Sequence, residues 1–123
     1  MILTNMTDQH DSIDFKVLTT LKTNLQDGDD DSFFREMVSL YLEDTPLHLV
    51  AIRENITAAN GERVKNAAHT LKGSSSNFGA RRMIQLCATI EHKGLERDFV
   101  TATELLDELE AEFARVSEIL STV

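Results

Sequence analysis

Near the C-terminus, Phe99, Ala102, Leu106, Leu109, Phe113, Val116, Leu120 and Val123 recur with spacings 3, 4, 3, 4, 3, 4, 3. A seam that holds this alternation through a long stretch is a helix that packs lengthwise and at a shallow angle against other helices. It needs partners of similar length, and the rest of the chain offers them. No segment alternates apolar and polar residues as a half-buried strand would, and there is a single proline. The fold class is therefore all-α.

Working forward from the N-terminus, residues 1–11 are polar and aperiodic and read as a flexible tail, leaving 12–123 as one helical domain. Asp14 is a fitting N-cap for a short helix carrying Val17, Leu18, Leu21 and Leu25. Asp27-Gly28-Asp29-Asp30-Asp31 breaks it. A long second element starts at Asp31 or Ser32, with Phe34, Met37, Val38, Tyr41, Leu42, Leu49, Ile52, Ile56 and Ala59 at helical spacing. Pro46 predicts either a kink or two helices meeting near Thr45-Pro46. Asn60-Gly61 should close this element in the left-handed cap conformation. A third helix is predicted over 62–77, a turn at Gly79, a fourth helix over 80–93 with Met83, Leu86, Cys87 and Ile90 inward, and a stop at Gly94. Short connections force antiparallel neighbours, so the expectation is an antiparallel four-helix up-and-down bundle with an additional short N-terminal helix as a lid.

Charge narrows the function. The 123 residues carry a net charge of −9, which argues against general nucleic-acid binding. Within 62–82 the balance reverses: Arg63, Lys65, Lys72, Arg81 and Arg82 face a single acid, Glu62. This positive island on an acidic body is either a plain solvated face or a lure for an acidic or phosphorylated partner. No apolar run reaches the roughly 18 residues that span a bilayer, and residues 1–6 lack the basic and long apolar regions of a secretory signal. Cys87 is the single cysteine, so no internal disulfide forms, which fits a cytoplasmic location.

On a helical wheel of 62–77, Val64, Ala67, Leu71, Ser75 and Phe78 fall on one side, and His69 falls opposite with Lys65, Lys72, Gly73 and Ser76 around it. A glycine inside a helix costs roughly 1 kcal/mol relative to alanine. Its presence beside an outward histidine suggests that something large approaches the imidazole. Metal ligation is disfavoured, because neither Glu-x-x-His nor His-Glu-x-x-His occurs. Cys87, on an apolar face, reads as a small buried hydrophobe. One acid can be placed near the histidine. His69 lies ten residues before Gly79 and Glu91 twelve after it, so at about 1.5 Å per residue they share a level of the hairpin. Glu91 there either accepts a hydrogen bond from one ring nitrogen, leaving the other to attack, or is a surface glutamate paired with Lys93 or with nothing.

The run His69-Thr70-Leu71-Lys72-Gly73-Ser74-Ser75, then Asn77-Phe78-Gly79-Ala80, then Leu86-Cys87-x-x-Ile90-Glu91, resembles the histidine-containing phosphotransfer (HPt) domain of two-component phosphorelays. That family's pattern is His-x-Leu-Lys-Gly, a Gly-Ala turn, and a Glu or Gln on the next helix. The chain departs from it in having Asn60-Gly61-Glu62 where an aspartate often caps the histidine helix. The resemblance implies that His69 accepts a phosphoryl group from a receiver-domain aspartate and passes it to another. Lys72 would steady the phosphoryl oxygens, Glu91 would orient the imidazole, and Lys65, Gly73 and Ser76 would lie on the docking face. It implies a carrier, not an enzyme with its own nucleotide site. It needs no cofactor, since Mg2+ would sit in the receiver. Its partners would be response-regulator receiver domains and a hybrid sensor histidine kinase, with no nucleic acid and no membrane, and it would work as a monomer. The initial methionine favours a free-standing protein or a piece that begins at a native start. The alternatives are the phosphoacceptor domain of a chemotaxis-type histidine kinase and a non-catalytic helical adaptor that docks receivers.

Overall fold

The computed structural model describes residues 12–123, and the expected tail over 1–11 lies outside them. Among the described residues there are five named helices and no strand: α1 (Phe15–Leu25), α2 (Ser32–Thr57), α3 (Gly61–Asn77), α4 (Arg81–Leu95) and α5 (Phe99–Leu120). Helices α2, α3, α4 and α5 each pack on the next, and α5 returns to α2, closing a four-helix bundle. Helix α1 leans on α2 and α3 at one end. Its entry is tied to the α3–α4 turn, where the Asp14 N–H donates to the Gly79 carbonyl at 2.7 Å.

The caps are the ones polar side chains can make. Asp14 accepts from the Lys16 N–H, Asn60 from the Arg63 N–H and Asp98 from the Thr101 N–H. Three helices end with a left-handed residue whose successor donates back into the last turn. Gly79 (φ 69°) was expected to do so, but the other two are Ala59 (φ 52°) and Arg97 (φ 59°). Asn60-Gly61 and Gly94 therefore do not make the turns the sequence suggested. Asn60 instead caps α3, Gly61 is its first residue, and α4 runs on through Gly94 to Leu95. Helix α2 is continuous through Pro46, which faces solvent. Only the bond from its missing N–H is lost there, and packing on both sides holds the helix in one piece.

The core is drawn from every helix. Phe34, Ile52, Val64, Leu71, Met83, Ile90, Leu106, Leu109 and Val116 are fully buried. Each contributes about 1.5–3 kcal/mol by leaving water. The α5 seam is buried at Ala102, Leu106, Leu109, Val116 and Leu120 and half-buried at Phe99 and Phe113, while Val123 lies beyond the helix. Tyr41 stacks on Phe78 with ring centroids 4.8 Å apart, and its hydroxyl meets Ser75 Oγ at 2.7 Å. Burial pushes the Tyr41 hydroxyl up to about 12, against the pull of its Ser75 hydrogen bond.

Candidate functional site

The face of α3 turned away from the core carries His69, whose side chain is 67% exposed. On α3 the buried positions are Gly61, Val64, Ala68, Leu71 and Ser75, and Ala67 is half-buried. That stripe fixes the opposite side of the helix toward water. The α3–α4 hairpin brings Glu91 to the same level, and its Oε1 lies 2.9 Å from His69 Nδ1. The side chain of Glu91 is 12% exposed, so its carboxylate is sunk between the two helices. Lys72, one turn after His69, places Nζ 2.6 Å from Glu91 Oε2, an ion pair rather than an aligned hydrogen bond. The alternative partner, Lys93, pairs instead with Glu96 at 3.1 Å.

The electrostatics follow from this geometry. Burial alone would raise the pKa of the Glu91 carboxyl. The close Lys72 ammonium and the His69 hydrogen bond outweigh it and hold the group below the ordinary carboxylate range. An ionised carboxylate only accepts, so the proton of the His69–Glu91 bond resides on Nδ1. That leaves Nε2 with its lone pair, on the exposed side of the ring. Beneath the pair, burial pushes the Cys87 thiol up to about 12, with the Glu91 charge adding to the shift, so Cys87 is no nucleophile.

The remaining site candidates lie along α3 before and after the histidine. Lys65 is half-buried, with Nζ 3.7 Å from Glu62. Gly73 is exposed, and a side chain built there would meet nothing within 4 Å, so nothing inside the bundle requires a glycine. Ser76 is exposed and turns its hydroxyl back to the Gly73 carbonyl at 2.7 Å. Among the described residues no group of three or more His, Cys, Asp and Glu side chains could hold a metal ion. No described helix is long and apolar enough to cross a membrane.

Two features were missed in the sequence. Phe33, Leu40 and Leu47 are 51%, 45% and 67% exposed at seven-residue spacing, an apolar line along α2. They stand one position outside the core-facing residues, so periodicity sets them aside without asking what covers them. The second is Glu112, fully buried on α5. Its place beside Leu109, Phe113 and Val116 on the wheel was the available signal.

Comparison with known proteins agrees with this architecture. No curated protein sequence matches the chain. The crystal structure of histidine-containing phosphotransfer protein B (HptB) from Pseudomonas aeruginosa PAO1 superimposes with a TM-score of 0.83 at 22% identity, over 90% of this chain and 92% of that one. At that identity the likeness speaks for the fold. The Hpt domain family model matches residues 36–119, from the second turn of α2 almost to the end of α5, and takes in both His69 and Glu91. The chain belongs to the Hpt domain family, the phosphotransfer carriers of phosphorelays.

Proposed function

We propose that His69 is the phosphorylated residue and that Nε2 is its reacting atom. The observation that carries this reading is the 2.9 Å contact from Nδ1 to Glu91, an acid buried enough to be held in place and ionised enough only to accept. In the forward step, Nε2 attacks the phosphorus of a receiver's aspartyl phosphate. The N–P bond forms, the P–O bond breaks, and the aspartate leaves as a carboxylate. The proton on Nδ1 stays there, hydrogen-bonded to Glu91, and that bond strengthens as positive charge develops on the ring. Return to a second receiver reverses the same bonds.

Such transfers depend on positioning and charge neutralisation more than on covalent help from the carrier. Lys72 supplies the nearby cation. Glu91 holds it in the free protein, and the arriving phosphoryl oxygens compete for it. Gly73 leaves the helix surface flat for the receiver's active site, while Lys65 and Ser76 flank the approach. The apolar line Phe33–Leu40–Leu47 suits contact with a receiver surface of the same character. The partners in this reading are receiver domains, one of them supplied by a hybrid sensor kinase. The metal ion belongs to the receiver, and the carrier acts as a monomer.

The test is to incubate the protein with a phosphorylated receiver and follow acid-labile, base-stable label. Wild type is labelled and His69→Gln is not. Equal labelling of the two would refute the assignment, and tight receiver binding without any labelling would favour an adaptor.

A further inference from the structure

Helices α3 and α4 are pinned at one end by the turn at Gly79, and at the open end their backbones touch. Gly61, the first residue of α3, and Gly94, in the last turn of α4, are both buried and face one another. A side-chain carbon built on Gly94 would sit 2.9 Å from the Gly61 carbonyl oxygen and 3.0 and 3.1 Å from Cγ1 and Cβ of Val64. One built on Gly61 would collide with the Gly94 carbonyl oxygen. Neither glycine adopts a positive φ, so the backbone conformation does not demand glycine at either place. Proximity does. Gly73 is the contrast, a helical glycine with open space around it.

We infer that the Gly61–Gly94 crossing is a positioning device that sets the spacing of α3 and α4 so that Glu91 reaches His69 Nδ1. This rests on the proposed role of Glu91. Gly94 follows Glu91 by three residues, about 4.5 Å along the same helix. The carboxylate must meet both Nδ1 at 2.9 Å and Lys72 Nζ at 2.6 Å. N–H···O hydrogen bonds lie at about 2.7–3.2 Å. Parting the helices by about one ångström at the open end moves Glu91 out of range, because the turn at Gly79 makes the hairpin open rather than shift as a whole. A misplacement of that size can slow a positioned reaction by up to about 100-fold.

The experiment uses the full chain with 15N-labelled histidine. Wild type shows His69 mainly as the Nδ1–H tautomer at neutral pH. Gly94→Ala shifts the ratio at least about twofold toward Nε2–H and slows transfer from a phosphorylated receiver about tenfold. Gly94→Ala/Val64→Ala removes the Cγ1 contact but keeps those with the Cβ at position 64 and the Gly61 carbonyl. It keeps the altered tautomer ratio, although the lost core methyls lower its stability. Because the effect runs through Glu91, Gly94→Ala adds no further slowing to Glu91→Ala, which has no acceptor to place. A folded Gly94→Ala with wild-type tautomer and rate overturns the inference. So does a loss of folding in both alanine variants, which marks a packing role alone. If Glu91→Ala leaves the tautomer ratio unchanged, the role assigned to Glu91 has failed and the crossing falls with it. If Glu91→Ala shifts the ratio and Gly94→Ala does not, only the crossing has failed.

Discussion

Glu91 and Glu112 are both sunk into the bundle, yet they are used differently. Glu91 is 12% exposed, and a cation or a ring N–H stands at each of its oxygens. Glu112 is fully buried, accepts from Arg115 Nε at 2.9 Å through Oε1, and has no hydrogen-bond partner at Oε2. Arg82 of α4 approaches Oε1 at 3.7 Å, so Glu112 sits between two guanidinium groups that are themselves about half exposed. The first acid can pass its charge to an exposed histidine. The second can only link α5 to the start of α4. Neither burial nor a partner that reaches solvent therefore marks the functional acid; what sets Glu91 apart is that its partner is an imidazole.

The widest separation between the two regions comes from the histidine itself. Removing it by His69→Gln abolishes phosphoryl acceptance and leaves the melting temperature within a few degrees of wild type, since a side chain this exposed adds little to folding. Lys72→Ala removes a charge-assisted contact of the kind worth about 1.5–3 kcal/mol, and single-turnover transfer falls about 10- to 100-fold. In the other region the effects are on stability. Tyr41→Phe leaves the buried Ser75 hydroxyl without its partner and lowers the unfolding free energy by about 1–2 kcal/mol in urea titrations, with transfer unchanged. Glu112→Leu removes a buried carboxylate whose second oxygen is unpaired. Its two arginines can turn to water, so stability rises by about 1 kcal/mol and transfer is again unchanged. If Glu112→Leu impairs transfer as strongly as Lys72→Ala, the division between the two acids is wrong.

The smallest effect is on pH. Glu91 titrates below its ordinary value of 4.5 in the folded protein, so its contribution to stability is complete above that value. The contribution is lost as pH falls through the lower, folded pKa. Glu91→Gln should accordingly differ most from wild type in denaturation midpoint above pH 4.5, and the two should converge in stronger acid.

How far the sequence could be read depended on what kind of contact was in question. The α5 seam and the alignment of His69 with Glu91 were legible, because helical periodicity and a fixed rise per residue are enough to compute both. The pairing of Lys72 with Glu91 was not, since a four-carbon side chain can reach several partners. Gly61 and Gly94 were read as stop signals, the commonest use of glycine near a helix end. The stops are made by Ala59 and Arg97, each followed by an N–H that donates back into the last turn, Asn60 to the Asn55 carbonyl and Asp98 to the Lys93 carbonyl, and that leaves both glycines free to bring two backbones together. Glu112 is not legible as a core residue, because charged residues are rarely fully buried. Its burial is a tertiary outcome that a wheel only hints at.

In the proposed transfer His69 carries the phosphoryl group on Nε2 while Nδ1 keeps its proton against Glu91. Long-range 15N–1H NMR of the histidine-labelled protein, before and after incubation with a phosphorylated receiver, reads both nitrogens. The Nε2 resonance of His69 alone should move to the position of a phosphorylated nitrogen, with Nδ1 still protonated. A phosphoryl group on Nδ1, or transfer that leaves the His69 ring unchanged, would contradict it.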